Sequence, residues 1–411
     1  MSEKSIMRQR SSKLRGIDSF SKRVLVNRLQ MINSGQVILT DNEGSMSFGP
    51  VVDGDPSQIK VTVEVLNDHF YSEFVFGGSI AAGEAYMAGL WRCDRLTDLV
   101  RVLLQNVELL DSVDNGYARL KLPVLRLVHW LNRNTRSGSR RNIGAHYDLG
   151  NNFFKLFLDQ SMMYSCAYYN HQKSNLDEAA EAKLRRICDK LQLAESDRVI
   201  EIGSGWGGFA IYAARRYGCH VTTTTISDEQ FAYAEKRIKA EGLQGSITLL
   251  KDDYRALKGQ FDKLVSIEMI EAVGPQFLEG YLHTCSDLLK PHGIMLIQAI
   301  TMRDQRYDRA IKSVDFIQRY IFPGGMLANP TRFIAIADRL GLQNDDSFFF
   351  GDSYAETMRR WDHGFRAAWP KIAALGFDDR FYRMWRYYMC YCEAGFVHGH
   401  IDVGQFVLTR K

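Results

Sequence analysis

The chain has 411 residues, 52 Lys and Arg against 48 Asp and Glu for a net charge of +4, and 45% hydrophobic and 24% charged residues. That composition is ordinary for globular domains and excludes a largely disordered chain; the charge is too balanced for a protein dominated by nucleic-acid binding. At roughly 150 residues per domain, the length accommodates two or three domains. No apolar run has the length of a membrane span, and the opening MSEKSIMRQR has no apolar core of a secretory signal. Seven scattered cysteines do not form a disulfide framework and are expected as free thiols. The expectation is a cytoplasmic, multidomain protein.

Charge is uneven. Residues 1–23 carry seven basic side chains against Glu3 and Asp18, and residues 131–142 read LNRNTRSGSRRN with four Arg and no acid. The second stretch has the texture of an interdomain linker, assigned to 131–143. Both are either solvated segments or basic patches resting on an anionic surface.

In chain order, QVILTDNEGSMSF (36–48) reads as a strand entering a turn. In IKVTVEV (59–65), Ile59, Val61, Val63 and Val65 alternate with Lys60, Thr62 and Glu64, the pattern of a half-buried strand. GGSIAAGEAYMAGLW (77–91) reads as a turn and then a helix. Residues 1–130 therefore make a small α+β domain. From 197 the pattern becomes alternating strands and helices: RVIEIG (198–203), HVTTTTI (220–226), SITLL (246–250), KLVSIEMI (263–270) and GIMLIQAI (293–300) are strands. SDEQFAYAEKRIKAEG (227–242) between them is a helix, with Ser227 and Gln230 spaced as a capping box and Gly242 as its stop. This alternation predicts a doubly wound, Rossmann-like α/β sheet with ligands at the C-terminal strand ends.

After the first of these strands comes Glu201-Ile-Gly203-Ser-Gly205-Trp-Gly207-Gly208. Gly203, Gly205 and Gly208 satisfy the dinucleotide pattern, but the acid that would hold an NAD ribose about 20 residues on is missing, since 222–226 contains none. Glu201 at the strand end, followed by three alternate glycines, favours S-adenosylmethionine. The chain has no Pro-Pro-Tyr loop after the fourth strand, which turns the reading away from methylation of nucleic-acid bases.

HYDLGNNFFKLFLDQSMMYSCAYY (146–169), EIGSGWGGFA (201–210), TISDEQ (225–230), IEAVG (270–274), YIFPGG (320–325) and CEAGF to IDVGQ (392–405) occur in this order. Together they resemble the cyclopropane fatty acid synthases and mycolic acid cyclopropane synthases. FGGSIAAGEAYMAGLWRCDRL (76–96) resembles the N-terminal domain of the phospholipid-acting members. The resemblance implies a class I S-adenosylmethionine methyltransferase domain over 144–411, preceded by a lipid-binding domain over 1–130. It implies methyl transfer from S-adenosylmethionine to a cis double bond of a phospholipid acyl chain, giving a carbocation that a bound bicarbonate deprotonates as the ring closes. A homodimer bound peripherally to the inner face of an anionic membrane is also implied, with no metal and no nucleic-acid partner.

The resemblance maps an anion cage onto Cys166, Glu271, Gln298, the backbone of Ile300, and Tyr320. It places Tyr164 and Ser165 near the methionine end of the cofactor, and Gly203 and Gly205 beneath it. Thr225, Ile226 and Gln230 fall by the ribose, and Asp253, Tyr254 and Ile267 around the adenine. Tyr164, Tyr168, Tyr169, Tyr320 and Phe322 are suited to face a cation, as they are to plain core packing. Cys390 and Cys392 are read as core. Three positions depart from the family pattern: Gln298 and Ala272 stand where the family has His, and Glu268 where it has a small residue. Gln cannot titrate. The cluster leaves methyl transfer intact and opens a different fate for the cation, a methylene- or methyl-branched chain. A methyltransferase acting on a soluble small molecule and a non-catalytic lipid-binding protein are the alternatives.

Overall fold

The computed structural model describes residues 16–50, 58–108, 149–171, 173–311 and 313–411. The basic linker 131–143, the first fifteen residues and His146 to Asp148 of the first motif lie outside them. The chain divides into two compact units, one of residues 1–125 with 377–398, the other of 126–376 with 399–411.

The first unit is α+β. Its sheet has the order β2-β1-β3-β4, from β1 (Gln36–Asp41), β2 (Gly44–Phe48), β3 (Lys60–Val65) and β4 (Trp91–Cys93). The stretch 36–48 is a complete antiparallel hairpin rather than one strand and a turn. The alternation over β3 holds: Val61, Val63 and Val65 are buried and Lys60 is exposed. The turn expected at 77–78 is instead a kink inside one helix, His69–Met87, where Gly78 sits at φ 67°. Only glycine adopts that conformation cheaply, so the chain bends without ending the helix. Lys22 bridges Asp41 at 2.5 Å, and Tyr71 donates to the same carboxylate. The helix Asp379–Val397 belongs to this unit, although its sequence lies inside the range 144–411 assigned to the catalytic domain. Its Cys390 and Cys392 are buried, and all seven cysteines are free.

The second unit is built on a seven-stranded sheet of order β10-β11-β9-β8-β5-β6-β7. Strands β5 (Arg198–Ile202), β6 (His220–Thr224), β7 (Ile247–Leu250), β8 (Phe261–Ile267) and β9 (Leu289–Thr301) are mutually parallel where they pair. They match the five strands expected from the sequence. Neighbouring residues of one strand feed opposite cores: Ile200, Leu264 and Ile297 pack in one cluster, Val199, Val265 and Leu296 in the other. A sheet covered on both faces needs such continuous apolar strands. Two strands escaped the sequence reading, β10 (Leu342–Phe349) and β11 (Asp402–Arg410). β11 is inserted antiparallel between β9 and β10.

The order places the switch point at β5, between β8 on one side and β6 on the other. Chain after β5 turns to one half of the sheet, and chain after β8 to the other, which opens a crevice above the C-terminal strand ends.

Candidate active site

The glycine loop follows β5 directly. Gly203, Gly205 and Gly207 have φ of 98°, 49° and 87°, a left-handed run that residues with a Cβ rarely adopt. The loop is fixed from below, since the N–H groups of Gly203 and Ser204 both donate to the Thr224 carbonyl, at 3.1 and 2.8 Å. A side chain at Gly208 would meet Met163 Sδ at 2.5 Å and the Ser161 carbonyl at 2.9 Å. A side chain at Gly205 would meet nothing within 4 Å. The loop is thus closed beneath and open above, a cradle that lets a ligand approach the backbone.

The other residues expected around a cofactor follow the neighbouring strands. Thr225 follows β6; its hydroxyl donates to Gln230 Oε1 at 2.9 Å and accepts from the Ser227 N–H. Ser227 caps the helix Asp228–Ala240 through the Gln230 N–H. The Gln230 side chain turns to Thr225 and does not complete the capping box expected there. Gly242 follows the helix at φ 68°, as its stop. Ile226 is half-buried between Thr225 and Ser227. Asp253 and Tyr254 follow β7. The Asp253 carboxylate accepts from the Arg255 backbone and guanidinium, and the Tyr254 ring packs edge-on to Tyr281 at 5.1 Å. Ile267 ends β8. Ser165 is buried, and its hydroxyl accepts from Lys183 Nζ at 2.7 Å. The Tyr164 ring stacks on Trp361 at 5.1 Å and tilts against Phe154 at 5.2 Å. The open glycine cradle, the hydroxyl and amide groups after β6 and the buried acid Glu201 at the end of β5 fit S-adenosylmethionine.

Glu201 is 2% exposed and accepts from Thr223 Oγ1 at 2.5 Å. Burial raises its carboxyl to about 8, and Thr223 opposes this only in part.

Of the residues expected to cage an anion, Cys166, Glu271, Gln298 and Ile300 converge at the ends of β8 and β9, but their donors are engaged. The Cys166 N–H donates to Glu268 Oε1 at 2.9 Å, and Gln298 Nε2 donates to the same oxygen at 2.7 Å. The Ile300 N–H donates to Glu271 Oε1 at 2.5 Å. Each of these three donors serves a carboxylate of the chain itself, so the cage does not fit an added bicarbonate. The Cys166 thiol donates to the Ala167 carbonyl at 3.1 Å, and burial pushes it far up in pKa. Glu271 Oε2 is buried with no hydrogen-bond partner among the described residues. Burial, reinforced by the charge of Glu268, raises the Glu271 carboxyl to about 8. Tyr320 ends the helix Phe316–Tyr320 with its ring 5.0 Å from Phe316. The loop after it returns to Glu271, whose carbonyl accepts from the Met326 N–H at 2.9 Å.

Several residues of the site were not singled out in the sequence. Tyr354 donates its hydroxyl to Glu268 Oε2 at 2.6 Å. Gln405, from β11, donates to Gln298 Oε1 at 3.0 Å and accepts from Arg186 Nε at 2.9 Å. Lys183 is fully buried; burial lowers its pKa, and Glu268 and Asp159 act against that. Lys183 had a readable signal: it lies on the stripe of Ala179, Ala180, Leu184 and Ile187, which the helix Leu176–Leu191 buries. Gln405 lies in the quoted IDVGQ motif without an assigned role. Nothing local marks Tyr354 or Trp361.

The comparisons agree with this geometry. Residues 134–406 match the family model described as mycolic acid cyclopropane synthetase. The chain is 39% identical over 342 residues to the tuberculostearic acid methyltransferase UfaA1 of Mycobacterium tuberculosis, covering 81% of this chain and 79% of that one. It is 38% identical over 351 residues to the cyclopropane-fatty-acyl-phospholipid synthase of Escherichia coli, covering 85% and 87%. Among solved structures, the mycolic acid cyclopropane synthase CmaA1 complexed with SAH and CTAB superposes with a TM-score of 0.62 and 28% identity, over 66% of this chain and 98% of that one. The cyclopropane synthase MmaA2 from Mycobacterium tuberculosis does so with the same score, at 27% identity and the same coverage. With the glycine cradle after β5, the strand order and these matches in agreement, the chain belongs to the mycolic acid cyclopropane synthetase family and is an S-adenosylmethionine-dependent C-methyltransferase.

Proposed function

We propose that this enzyme methylates a cis double bond in an acyl chain of a membrane phospholipid, the methyl carbon ending in a cyclopropane ring. The observation that carries the reading is the wall of rings beside the glycine cradle: Tyr164 between Trp361 and Phe154, Phe322 at 6.4 Å from Tyr164, and Tyr354 edge-on to Trp361 at 6.4 Å. S-adenosylmethionine supplies an electrophilic methyl group. An alkene is an uncharged nucleophile and needs no base for the attack. The chain's own task is to exclude water from the cation that the attack leaves on the acyl chain, and to remove one proton from it. Aromatic faces stabilise a cation by about 0.5–2 kcal/mol each, and apolar rings keep the site dry. Glu268 and Glu271 follow β8, and Tyr354 of this wall donates to Glu268.

A second product is favoured by one specific observation. Gln298 and Ala272 replace two histidines of the family pattern beside Glu268 and Glu271, and changed groups around the cation change which proton leaves. A methylene branch, or a methyl branch on a shifted double bond, is the outcome of that route.

We further propose that the first unit is a lipid-binding domain and that the enzyme works as a peripheral homodimer on anionic membranes at the cytoplasmic face. The basic composition of residues 1–23 and 131–142 supports the membrane reading, as do Ile17 and Phe20, 57% and 42% exposed on the helix Gly16–Leu29. No described helix is long and apolar enough to cross a membrane.

The test is incubation of the protein with methyl-labelled S-adenosylmethionine and vesicles of a monounsaturated anionic phospholipid, followed by proton NMR of the released fatty acids. Upfield cyclopropane signals support the first reading. An added carbon with a retained alkene, as a methylene or a methyl on a double bond, supports the second. Label left entirely in the aqueous phase refutes both.

A further inference from the structure

We infer that Glu268 is a built-in replacement for a bound anionic base: its side-chain carboxylate takes the proton from the methylated acyl chain, and the enzyme works without bicarbonate. The inference rests on the proposed alkene methylation for its substrate and on the geometry of the cage for its base.

The first argument is the polarity of a hydrogen-bond chain. Arg186 can only donate. Its bond to Gln405 Oε1 fixes that amide so that Gln405 Nε2 faces Gln298 Oε1, and this in turn aims Gln298 Nε2 outward. The group at the end of the chain must therefore accept. The Cys166 N–H converges on the same point, and it cannot be reversed either. Two fixed donors meeting at one oxygen, with the Tyr354 hydroxyl on the other oxygen of the same group, describe a carboxylate site. Glu268 already fills it.

The second argument is the backbone. Glu268 has φ 50°, in the left-handed region that side chains with a Cβ avoid at a cost of about 1–2 kcal/mol. A small residue there would be relaxed. A glutamate in that position is held by its contacts, the donors of Cys166, Gln298 and Tyr354. Strain retained at such a place points to a role for the side chain.

The third argument is capacity. Two donors occupy Oε1 and one occupies Oε2, so Oε2 keeps a lone pair in plane for a C–H proton. In the step leading to the ring, a C–H bond of the added methyl group breaks, its electron pair forms the bond from that carbon to the cationic carbon, and the proton goes to the Glu268 carboxylate. Loss of a proton from a carbon directly attached to the cation instead leaves the pair as an alkene. The proton returns to solvent when the product leaves. Glu271, three residues on with one oxygen unpartnered among the described residues, serves as the neutral neighbour that lets Glu268 keep its charge.

The experiment pairs direct anion binding with turnover. Titration of the protein into carbon-13-labelled bicarbonate is followed by line broadening, and methyl transfer to vesicle lipid is measured in bicarbonate-depleted and replete buffer. The wild type is expected to show no saturable broadening and no dependence on bicarbonate. Glu268→Gly removes the carboxylate and relaxes the backbone. It is expected to bind bicarbonate saturably, to lose turnover by roughly 100-fold in depleted buffer, and to recover part of it with bicarbonate or formate. Glu268→Gln keeps the volume and is expected to lose turnover without rescue. Saturable bicarbonate binding by the wild type, loss of its activity on depletion, or full activity of Glu268→Gln would each overturn the assignment. If no label reaches lipid in any protein, the proposed function has failed, and the binding arm alone still decides whether Glu268 fills the anion site.

Discussion

Replacement of Glu201 by glutamine is expected to stabilise the protein, and increasingly so as pH rises. The carboxyl is 2% exposed, and burial raises it from 4.5 to about 8. In the unfolded chain it ionises near 4.5; in the folded chain it holds its proton until about 8. Between those values the folded state binds the extra proton, so each step upward in pH favours unfolding. The cost is absent below the lower value and complete above the higher one, where it reaches about 5 kcal/mol at 1.36 kcal/mol per pKa unit. Glutamine cannot ionise, has nearly the same shape, and can still accept from Thr223 Oγ1. The advantage of Glu201→Gln over wild type should therefore grow by about 3 kcal/mol between pH 5 and pH 7, a large share of a typical total stability. Reversible urea unfolding of both proteins across pH 5 to 9 measures it. The difference between the two curves cancels the contribution of every other titrating group that Glu201 does not touch. A difference that stays constant across this range would show that Glu201 is ionised in the folded protein and would refute the reasoning.

Three further outcomes are expected. Glu271→Gln keeps a neutral group beside Glu268 and an acceptor for the Ile300 N–H, so methyl transfer should stay within a few-fold of wild type, with S-adenosylmethionine affinity, read by calorimetry, unchanged; a loss of about 100-fold would mean that Glu271 itself carries the proton. Gly208→Ala should destabilise the second unit by about 1–3 kcal/mol, because the new methyl would meet Met163 Sδ at 2.5 Å and the Ser161 carbonyl at 2.9 Å. Thermal unfolding checks this, and an unchanged midpoint would mean that the strand-to-helix turn yields easily. Gln298→His breaks the fixed polarity running from Arg186 to Glu268. It should shift the ratio of cyclopropane to branched product in the vesicle assay, and an unchanged product spectrum would separate Gln298 from control of the cation.

The parallel half of the sheet was legible because its strands are short runs rich in apolar or β-branched residues, HVTTT of β6 among the latter, bounded by glycine or polar turns. Strands β10 and β11 were not. LQNDDSFF carries its two phenylalanines at one end and has no sustained alternation, and β11 is an inserted antiparallel strand whose partners are distant in sequence. The helix Asp379–Val397 was assigned to the catalytic range by position alone, and long-range packing joins it to the first unit.

The same division runs through the site. The sequence by itself pointed to the cofactor class, since Glu201 and the alternate glycines after a strand, with no acid at 222–226 to hold an NAD ribose, favoured S-adenosylmethionine, and the resemblance put Thr225 and Gln230 in the place of that acid. It also marked Gln298, Ala272 and Glu268 as a cluster of departures. Only the tertiary structure decided how the cluster is held. The donors of Cys166, Gln298 and Tyr354 come from segments far apart in the chain, and their directions are set by neighbours such as Arg186 and Gln405. A hydrogen bond depends on where a donor points, and direction is fixed by packing across the fold, which no local pattern of residues records.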